Sequence, residues 1–334
     1  MLRVTHFMRH PSNSSYSIER LFEDIRGNLT QNIKVSVVIN RFESRGFLNR
    51  ILDSLRVVKF QGDVNHITGD VHYLTYFLRS RRTLLTIHDC VSLDERLKGL
   101  RKWIFWLLWY WVPARRCALI SVISESTRLQ VLKYTGCHAD KVRVVPDFVF
   151  EEFKFQPRIF RIHCPRILHV GTKLNKNLER HASALEGISC KMVIIGKLLE
   201  QQETALVRHG ITYENYIDIT REEVVRHYMQ SDLLLFASTY EGFGLPILEA
   251  QAVGRPVVTS QIWSMPEVAG ESACLVDPYD IESIRAGVQR VIHDENYRND
   301  LIRQGLENVK RFRVGVVAEQ YAILYREIAR ENLQ

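Results

Sequence analysis

The sequence predicts an α/β protein built from two doubly wound, Rossmann-like domains facing a cleft, and three observations carry that expectation. The chain has 334 residues, more than a single hydrophobic core usually serves. Short β-branched runs recur between amphipathic stretches along its whole length. Those runs are apolar at consecutive rather than alternating positions, as strands are when helices cover both faces of a parallel sheet.

In chain order, VSVVIN (35–40), TLLTIHD (83–89), ALISVIS (118–124) and VRVVP (142–146) read as strands of a first domain, placed at 1–150. RILHVG (166–171), KMVIIG (191–196), DLLLFAS (232–238), RPVVTS (255–260) and SACLVD (272–277) read as strands of a second, at 165–315. The stretch VFEEFKFQPRIFRIHCP (149–165) has no clean period and two prolines, and reads as the linker. A long amphipathic pattern runs from about Asp294 to the end, and its last part, 316–334, is expected as a helix packing back on the first domain. In such sheets ligands sit beyond the carboxyl ends of the strands, where strand order reverses, so those ends are where site residues are sought.

Composition excludes several classes. Hydrophobic residues make up 46% and charged residues 25%, without low-complexity runs or repeats, which sets aside disordered, fibrous and solenoid proteins. Six scattered cysteines, none at metal-ligand or redox spacing, read as core residues in a reducing compartment. The N-terminus has no signal-like apolar region and no run is long enough to span a bilayer, so a cytoplasmic location is expected. A net charge of +7 favours anionic partners. With no zinc-finger spacing, RNA-binding aromatic signature or basic block, nucleic acid is not expected among them.

The most informative segment is DLLLFASTYEGFGLPILEAQAVGRPVVTS (232–260). It reads as strand, loop, helix and strand, the helix opening near Pro246 and stopping at Gly254. A helix N-terminus at a strand end attracts anions through free N–H groups and the helix dipole. Gly242 and Gly244 let the backbone approach a ligand closely. Glu241 projects from the loop and Glu249 is expected in the first helical turn. Carboxylates do not favour phosphate but accept hydrogen bonds from hydroxyls. The combination points to a ligand with hydroxyls on both sides of its phosphates, as in a nucleotide sugar.

FASTYEGFGLPILEAQAVGRPVV, with SMPEVAGESACLVDP (264–278), closely resembles the donor-binding segment of retaining glycosyltransferases of the GT-B fold, family 4. The resemblance extends through RILHVGTKLNKNLER, TREEVVRHYMQSDLLLFAS and RFRVGVVAEQYAILYREI, over most of residues 80–330. It implies that Glu241 touches the donor sugar and steadies positive charge near its anomeric carbon, that Glu249 binds the ribose hydroxyls, and that Phe243, Gly244 and Leu245 present N–H groups to sugar and diphosphate. In the loop after Gly171 the family carries an Arg and a Lys that neutralise the diphosphate. Lys176 matches the Lys, while Thr172 stands at the Arg position, so either Lys173 substitutes or Lys176 is the single strong cation. His88 matches a family histidine that faces the donor sugar, with Asp89 beside it. The first loop, HPSNSSYSIERLF, lacks the family's paired glycines. His66 and His72 are read as residues that could line the acceptor side.

No paired Asp motif or ligand cluster is visible, so neither a metal nor a cofactor is expected beyond the nucleoside diphosphate sugar itself. The expected reaction moves a hexose to a hydroxyl of a saccharide or lipid-linked saccharide, in surface polysaccharide synthesis. The rivals are a nucleotide-sugar epimerase or phosphorylase-like enzyme of the same fold, and a non-catalytic nucleotide-sugar-binding scaffold. RKWIFWLLWYWVPARR, Arg101–Arg116, holds four of the five tryptophans between basic ends. It reads either as a buried aromatic helix or as a segment lying on an anionic membrane surface.

Overall fold

A computed structural model describes residues 1–10, 17–44, 46–91, 93 and 99–332. The chain forms two compact units, one of Met1–Asp147 with the chain from Val314 onward, the other of Phe148–Arg313. The stretch 149–165 is therefore part of the second unit.

In the first unit six parallel strands, β1 (Leu2–Met8), β2 (Ile33–Ile39), β3 (Val64–Ile67), β4 (Thr83–Ile87), β5 (Leu119–Val122) and β6 (Val142–Val144), lie in the order β2-β1-β3-β4-β5-β6. Parallel neighbours require crossovers, and helices supply them. Phe7, Ile67, Leu85, Ile87, Ile120 and Val122 form the core between sheet and helices. The helix Val314–Glu331 belongs to this unit and buries Val317, Tyr321, Tyr325 and Ile328 against it.

The second unit repeats the design with β7 (Arg166–Val170), β8 (Lys191–Ile195), β9 (Tyr213–Tyr216), β10 (Leu233–Phe236), β11 (Val257–Ser260) and β12 (Cys274–Val276), ordered β12-β11-β10-β7-β8-β9. Ile167, Met192, Ile194, Leu233, Leu235 and Val258 centre its core. The helix Ile281–His293 approaches the sheet so closely that a Cβ on Gly287 would lie 2.5 Å from Val276 Cγ1, which only glycine permits.

Several elements depart from expectation. β1, β3 and β9 were not expected as strands, because LRVTHFM, VNHI and YENY mix polar with apolar positions. The terminal amphipathic pattern divides into the helices Glu295–Asn308 and Val314–Glu331, with a short 3-10 turn at Val309–Phe312 where the chain passes from one unit to the other. His66 and His72 are buried structural residues and not liners of an acceptor site. His66 Nε2 pairs with Thr86 Oγ1 at 2.7 Å, and His72 Nδ1 donates to the Trp109 carbonyl at 2.7 Å.

The tryptophan segment is both inside and outside. Gly99–Trp106 is α-helical, Leu107–Trp111 widens to a π-helix, and Val112–Arg115 resumes the α-helix. Trp109 and Tyr110 are buried, Trp109 stacking on Phe105 at 5.5 Å beneath Arg50. Leu100, Trp103, Ile104 and Leu108 are exposed, at helical spacing on one face. No helix among the described residues is long and apolar enough to cross a membrane.

Candidate active site

Strand order in the second unit reverses between β7 and β10, and the loops that follow these two strands are laced together. After β7 the backbone turns at Gly171, whose φ of +87° favours glycine and where a Cβ would lie 3.0 Å from Lys176 Cε. The loop then doubles back through the short 3-10 turn Leu174–Lys176. Asn177, itself left-handed at φ 63°, donates through Nδ2 to the carbonyls of Ala237 and Pro278 at 3.0 and 2.7 Å. Asn175 Nδ2 donates to the Tyr240 carbonyl at 2.8 Å, and its carbonyl accepts from Thr239 N–H at 2.8 Å.

This lacing brings Lys176 Nζ to 2.7 Å from Glu241 Oε1, over the ring of Phe236. Asn175 Nδ2 is 3.3 Å from the same oxygen. The pair is well covered, with side-chain exposures of 16% and 13%, so it is screened far less than a surface ion pair. Thr172 offers no charge. Its hydroxyl donates to the Lys197 carbonyl at 2.6 Å, and its own carbonyl accepts from Gln202 at 2.8 Å. Lys173 is exposed. Of the residues at the loop's family Arg and Lys positions, Lys176 alone meets a carboxylate.

The helix after β10 runs Leu245–Ala252, with Gly244 as its N-cap at φ 112° and Pro246 in its first turn. Ser264 holds the turn before it, donating to the carbonyls of Glu241 and Phe243 at 2.9 and 2.7 Å. Gly242 and Leu245 are half-buried, while Phe243 and Gly244 are buried. Glu249 is the fifth helical residue, so it stands one turn further in than the first turn expected of it. It is 5% exposed and both its oxygens are bonded. Arg221 Nη2 donates to Oε1 at 3.0 Å and Tyr228 O–H to Oε2 at 2.6 Å. Burial, then the charge of Glu249, pushes the Tyr228 phenol well above its ordinary pKa of 10.0, so it keeps its proton and donates. Arg221 also pairs with Glu152 at 3.1 Å and lies over Phe150 and Phe153. Arg221 and Tyr228 were missed by sequence reading. Their spacing of seven, two turns on one face of the helix Arg221–Gln230, was the available signal.

In the first unit His88 stands at the carboxyl end of β4, half-buried, with Nε2 3.0 Å from the Thr68 carbonyl oxygen. Asp89 beside it is exposed. Asp147, which sequence reading passed over, is a buried carboxyl that burial raises to about 6, with the nearby His88 opposing that rise. Residues 11–16 of the first loop lie outside the described residues. Among the described residues no group of three or more His, Cys, Asp or Glu is placed to hold a metal ion.

The chain matches the glycosyl transferases group 1 family over residues 164–308 and glycosyltransferase family 4 over residues 15–153. It is similar to the O-antigen chain mannosyltransferase B of Escherichia coli, with 37% identity over 102 residues covering 30% of this chain and 26% of that protein. It is also similar to the serotype-specific mannosyltransferase WbdA of Escherichia coli, with 26% identity over 261 residues covering 69% of this chain and 32% of that one. The matched stretch thus spans between 26% and 32% of the length of these relatives. Among solved structures, sucrose-phosphate synthase from Thermosynechococcus elongatus superposes with a TM-score of 0.78 at 15% identity, covering 98% of this chain and 99% of that one. HepE of Anabaena, solved in complex with UDP and glucose, superposes at 0.76 and 16% identity, covering 98% and 100%. Two six-stranded parallel sheets with these strand ends, and family patterns matched on both, make the chain a member of glycosyltransferase family 4, with the GT-B fold.

Proposed function

We propose that the chain transfers a hexose from a nucleoside diphosphate sugar to a hydroxyl of a saccharide or lipid-linked saccharide, with retention at the anomeric carbon and without a metal. The observation that carries this reading is the Lys176–Glu241 pair at a helix N-terminus, with Glu249 one turn inside. Mannose is the first sugar to test, because the similar proteins of Escherichia coli are named mannosyltransferases. A nucleoside diphosphate carrier agrees with the UDP bound by HepE.

In this reading the diphosphate sits on the N–H groups of Phe243, Gly244 and Leu245, aided by the helix dipole. Lys176 moves from Glu241 to the diphosphate, which frees Glu241 to accept hydrogen bonds from the sugar and to face the positive charge at its anomeric carbon. Glu249, already fixed by Arg221 and Tyr228, accepts from the ribose hydroxyls with its remaining lone pairs. His88 is assigned to the sugar, as the family resemblance implies. The bond between the anomeric carbon and the diphosphate oxygen breaks, its electron pair staying on the diphosphate. That oxygen takes the proton of the acceptor hydroxyl as the new carbon–oxygen bond forms on the same face. Lys176 and the helix N-terminus supply the charge neutralisation that a metal gives elsewhere. The exposed face of Leu100, Trp103, Ile104 and Leu108 beside Arg101 and Lys102 suits contact with an anionic membrane that presents a lipid-linked acceptor.

The first test is a thermal-shift series with UDP, GDP, ADP, dTDP and CMP, using Glu249→Gln as control. A rise with one diphosphate, lost in the variant, supports the donor site and names the base. Transfer is then followed from the corresponding sugar donor, with and without chelator. Absence of stabilisation by any diphosphate, or turnover lost to chelator, would sink the reading. Donor binding without transfer to any saccharide would favour a scaffold, which the uncharged Thr172 leaves as the second reading.

A further inference from the structure

At the opposite end of the second sheet, where β7, β10 and β11 begin, the stretch after Gln156 lines a cavity of about 380 Å³. Arg158, Arg255, Arg298, Asp232 and Glu295 line it. Asp232 is fully buried and already shared, accepting from Arg158 Nε at 2.8 Å, Arg161 Nε at 2.9 Å and the Arg166 N–H at 2.7 Å. Arg255 and Arg298 are 4% and 6% exposed, and the hydrogen bonds that hold them run to carbonyls. Arg255 donates to Gly254, Gln156 and Met229, and Arg298 to Val291 and Ile292. Arg255 Nε is buried without a hydrogen-bond partner.

Three guanidinium groups therefore line the cavity with two carboxylates, and the two most buried make no carboxylate hydrogen bond among the described residues. A buried charge is stable only when an opposite charge or a full set of hydrogen bonds compensates it, and carbonyl dipoles compensate only part. Phe160 packs beneath Arg298 at 4.2 Å, leaving one side of the cavity apolar. Planar guanidinium groups with N–H donors to spare match the oxygens of a phosphate group. We propose that this cavity is a binding site for a small phosphate-bearing anion, separate from the donor site and held by Arg158, Arg255 and Arg298. The site touches the donor helix at its far end, because Gln156 N–H donates to the Val253 carbonyl at 3.3 Å and Arg255 holds the Gln156 carbonyl at 2.9 Å.

The test uses the full chain and no sugar transfer, so it stands or falls apart from the reading above. Melting temperature is measured in inorganic phosphate and, separately, in a hexose 6-phosphate, each against chloride at matched ionic strength. Because phosphate also suits the donor site, the series is repeated in Lys176→Ala. The expected result is a rise of about 2 °C or more that persists in Lys176→Ala and disappears in Arg298→Gln and Arg158→Gln. Arg255 ties three carbonyls, so its removal tests the fold as much as the site, and the other two arginines are the informative positions. The larger of the two rises names the source of the phosphate group. No rise over chloride, or a rise lost in Lys176→Ala and kept in Arg298→Gln, overturns the proposal.

Discussion

In the first sheet strand order reverses between β1 and β3, in the second between β7 and β10, and the two reversal points use polar residues differently. At the first, His6 and His66 are paired in register on adjacent strands, and both bond the hydroxyl of Tyr325, at 2.9 and 2.7 Å. All three are buried, and the helix Val314–Glu331 spends a tyrosine on them. At the second, His169 is turned inward against His181 with their Nδ1 atoms 3.0 Å apart, while Lys176 and Glu241 stand in the loops just beyond. Polar groups within the strands are enclosed by the fold, His6 and His169 each keeping one ring nitrogen without a partner among the described residues, whereas Lys176 and Glu241, in the loops past the strand ends, stay partly open. The same topological position yields a structural lock in one unit and a candidate site in the other.

Acid should break the buried histidine pair at each reversal point, and with the largest effect. Burial holds His6 and His181 down at about 3 and His66 and His169 well below the ordinary 6.5. Below pH 6.5 the unfolded chain takes up protons that the folded chain refuses, so stability falls as pH drops. Each histidine contributes up to about 1.4 kcal/mol per pH unit within that window. Asp147 acts oppositely. Its folded value of about 6 lies above the ordinary 3.8, so between those values a lower pH favours the fold, but by one group against four. Urea unfolding at falling pH should show a steep loss of stability between about pH 6 and pH 4. Four of the five tryptophans lie in the first unit, so tryptophan fluorescence reports chiefly the opening of that unit. A stability that stays flat across this window would mean the histidines are solvated.

The open position is tested by Lys176→Ala. Removing the cation that meets Glu241 should lower turnover by roughly 10²–10³, as loss of a preorganised electrostatic partner does elsewhere. Lys173→Ala should change turnover by much less, because Lys173 is exposed. Equal losses would place the working cation at Lys173 instead.

Much of the architecture was legible in the sequence because buried parallel strands write themselves as apolar runs, and β4, β5, β7, β8, β10 and β11 all do. β1, β3 and β9 were not legible for a physical reason. Thr5, His6 and His66 occupy strand positions whose polarity is answered by partners far along the chain, which no local pattern reveals. β9 is an edge strand with all four residues half-buried, so it needs no apolar run. The positions of Glu241, Glu249, Lys176 and Gly171 follow from a local motif. Their partners do not, since Arg221, Tyr228, Asn175 and Ser264 reach them across 21 to 66 positions of sequence.

One buried tyrosine in each unit gives a closer comparison. Tyr228→Phe leaves an ionised Glu249 short of a donor, which should cost about 1.5–3 kcal/mol, whereas Tyr325→Phe leaves neutral histidines short and should cost about 1–2 kcal/mol. Tyr228→Phe should in addition weaken binding of the nucleoside diphosphate, and Tyr325→Phe should not. Thermal unfolding with and without ligand separates the two. If both variants lose the same stability, the charge of Glu249 is met by Arg221 alone.

The smallest effect on stability is expected at Trp103, and the two faces of the tryptophan segment make the comparison within a few residues. Trp103 is 54% exposed, and Trp103→Ser should change stability by no more than about 0.5 kcal/mol, as substitutions at exposed positions do. Trp109 is buried beneath Arg50 and beside Phe105, and Trp109→Ser should cost about 3–5 kcal/mol, in the range of buried aromatic truncation. Binding to vesicles that contain anionic lipid should follow the opposite order at matched folded fraction. Trp103→Ser weakens it because indole favours the interface, while Trp109 has no apolar surface to offer until the fold opens. Vesicle binding by the folded chain that is indifferent to Trp103→Ser, and to the same change at Ile104, would leave the exposed face without a membrane role.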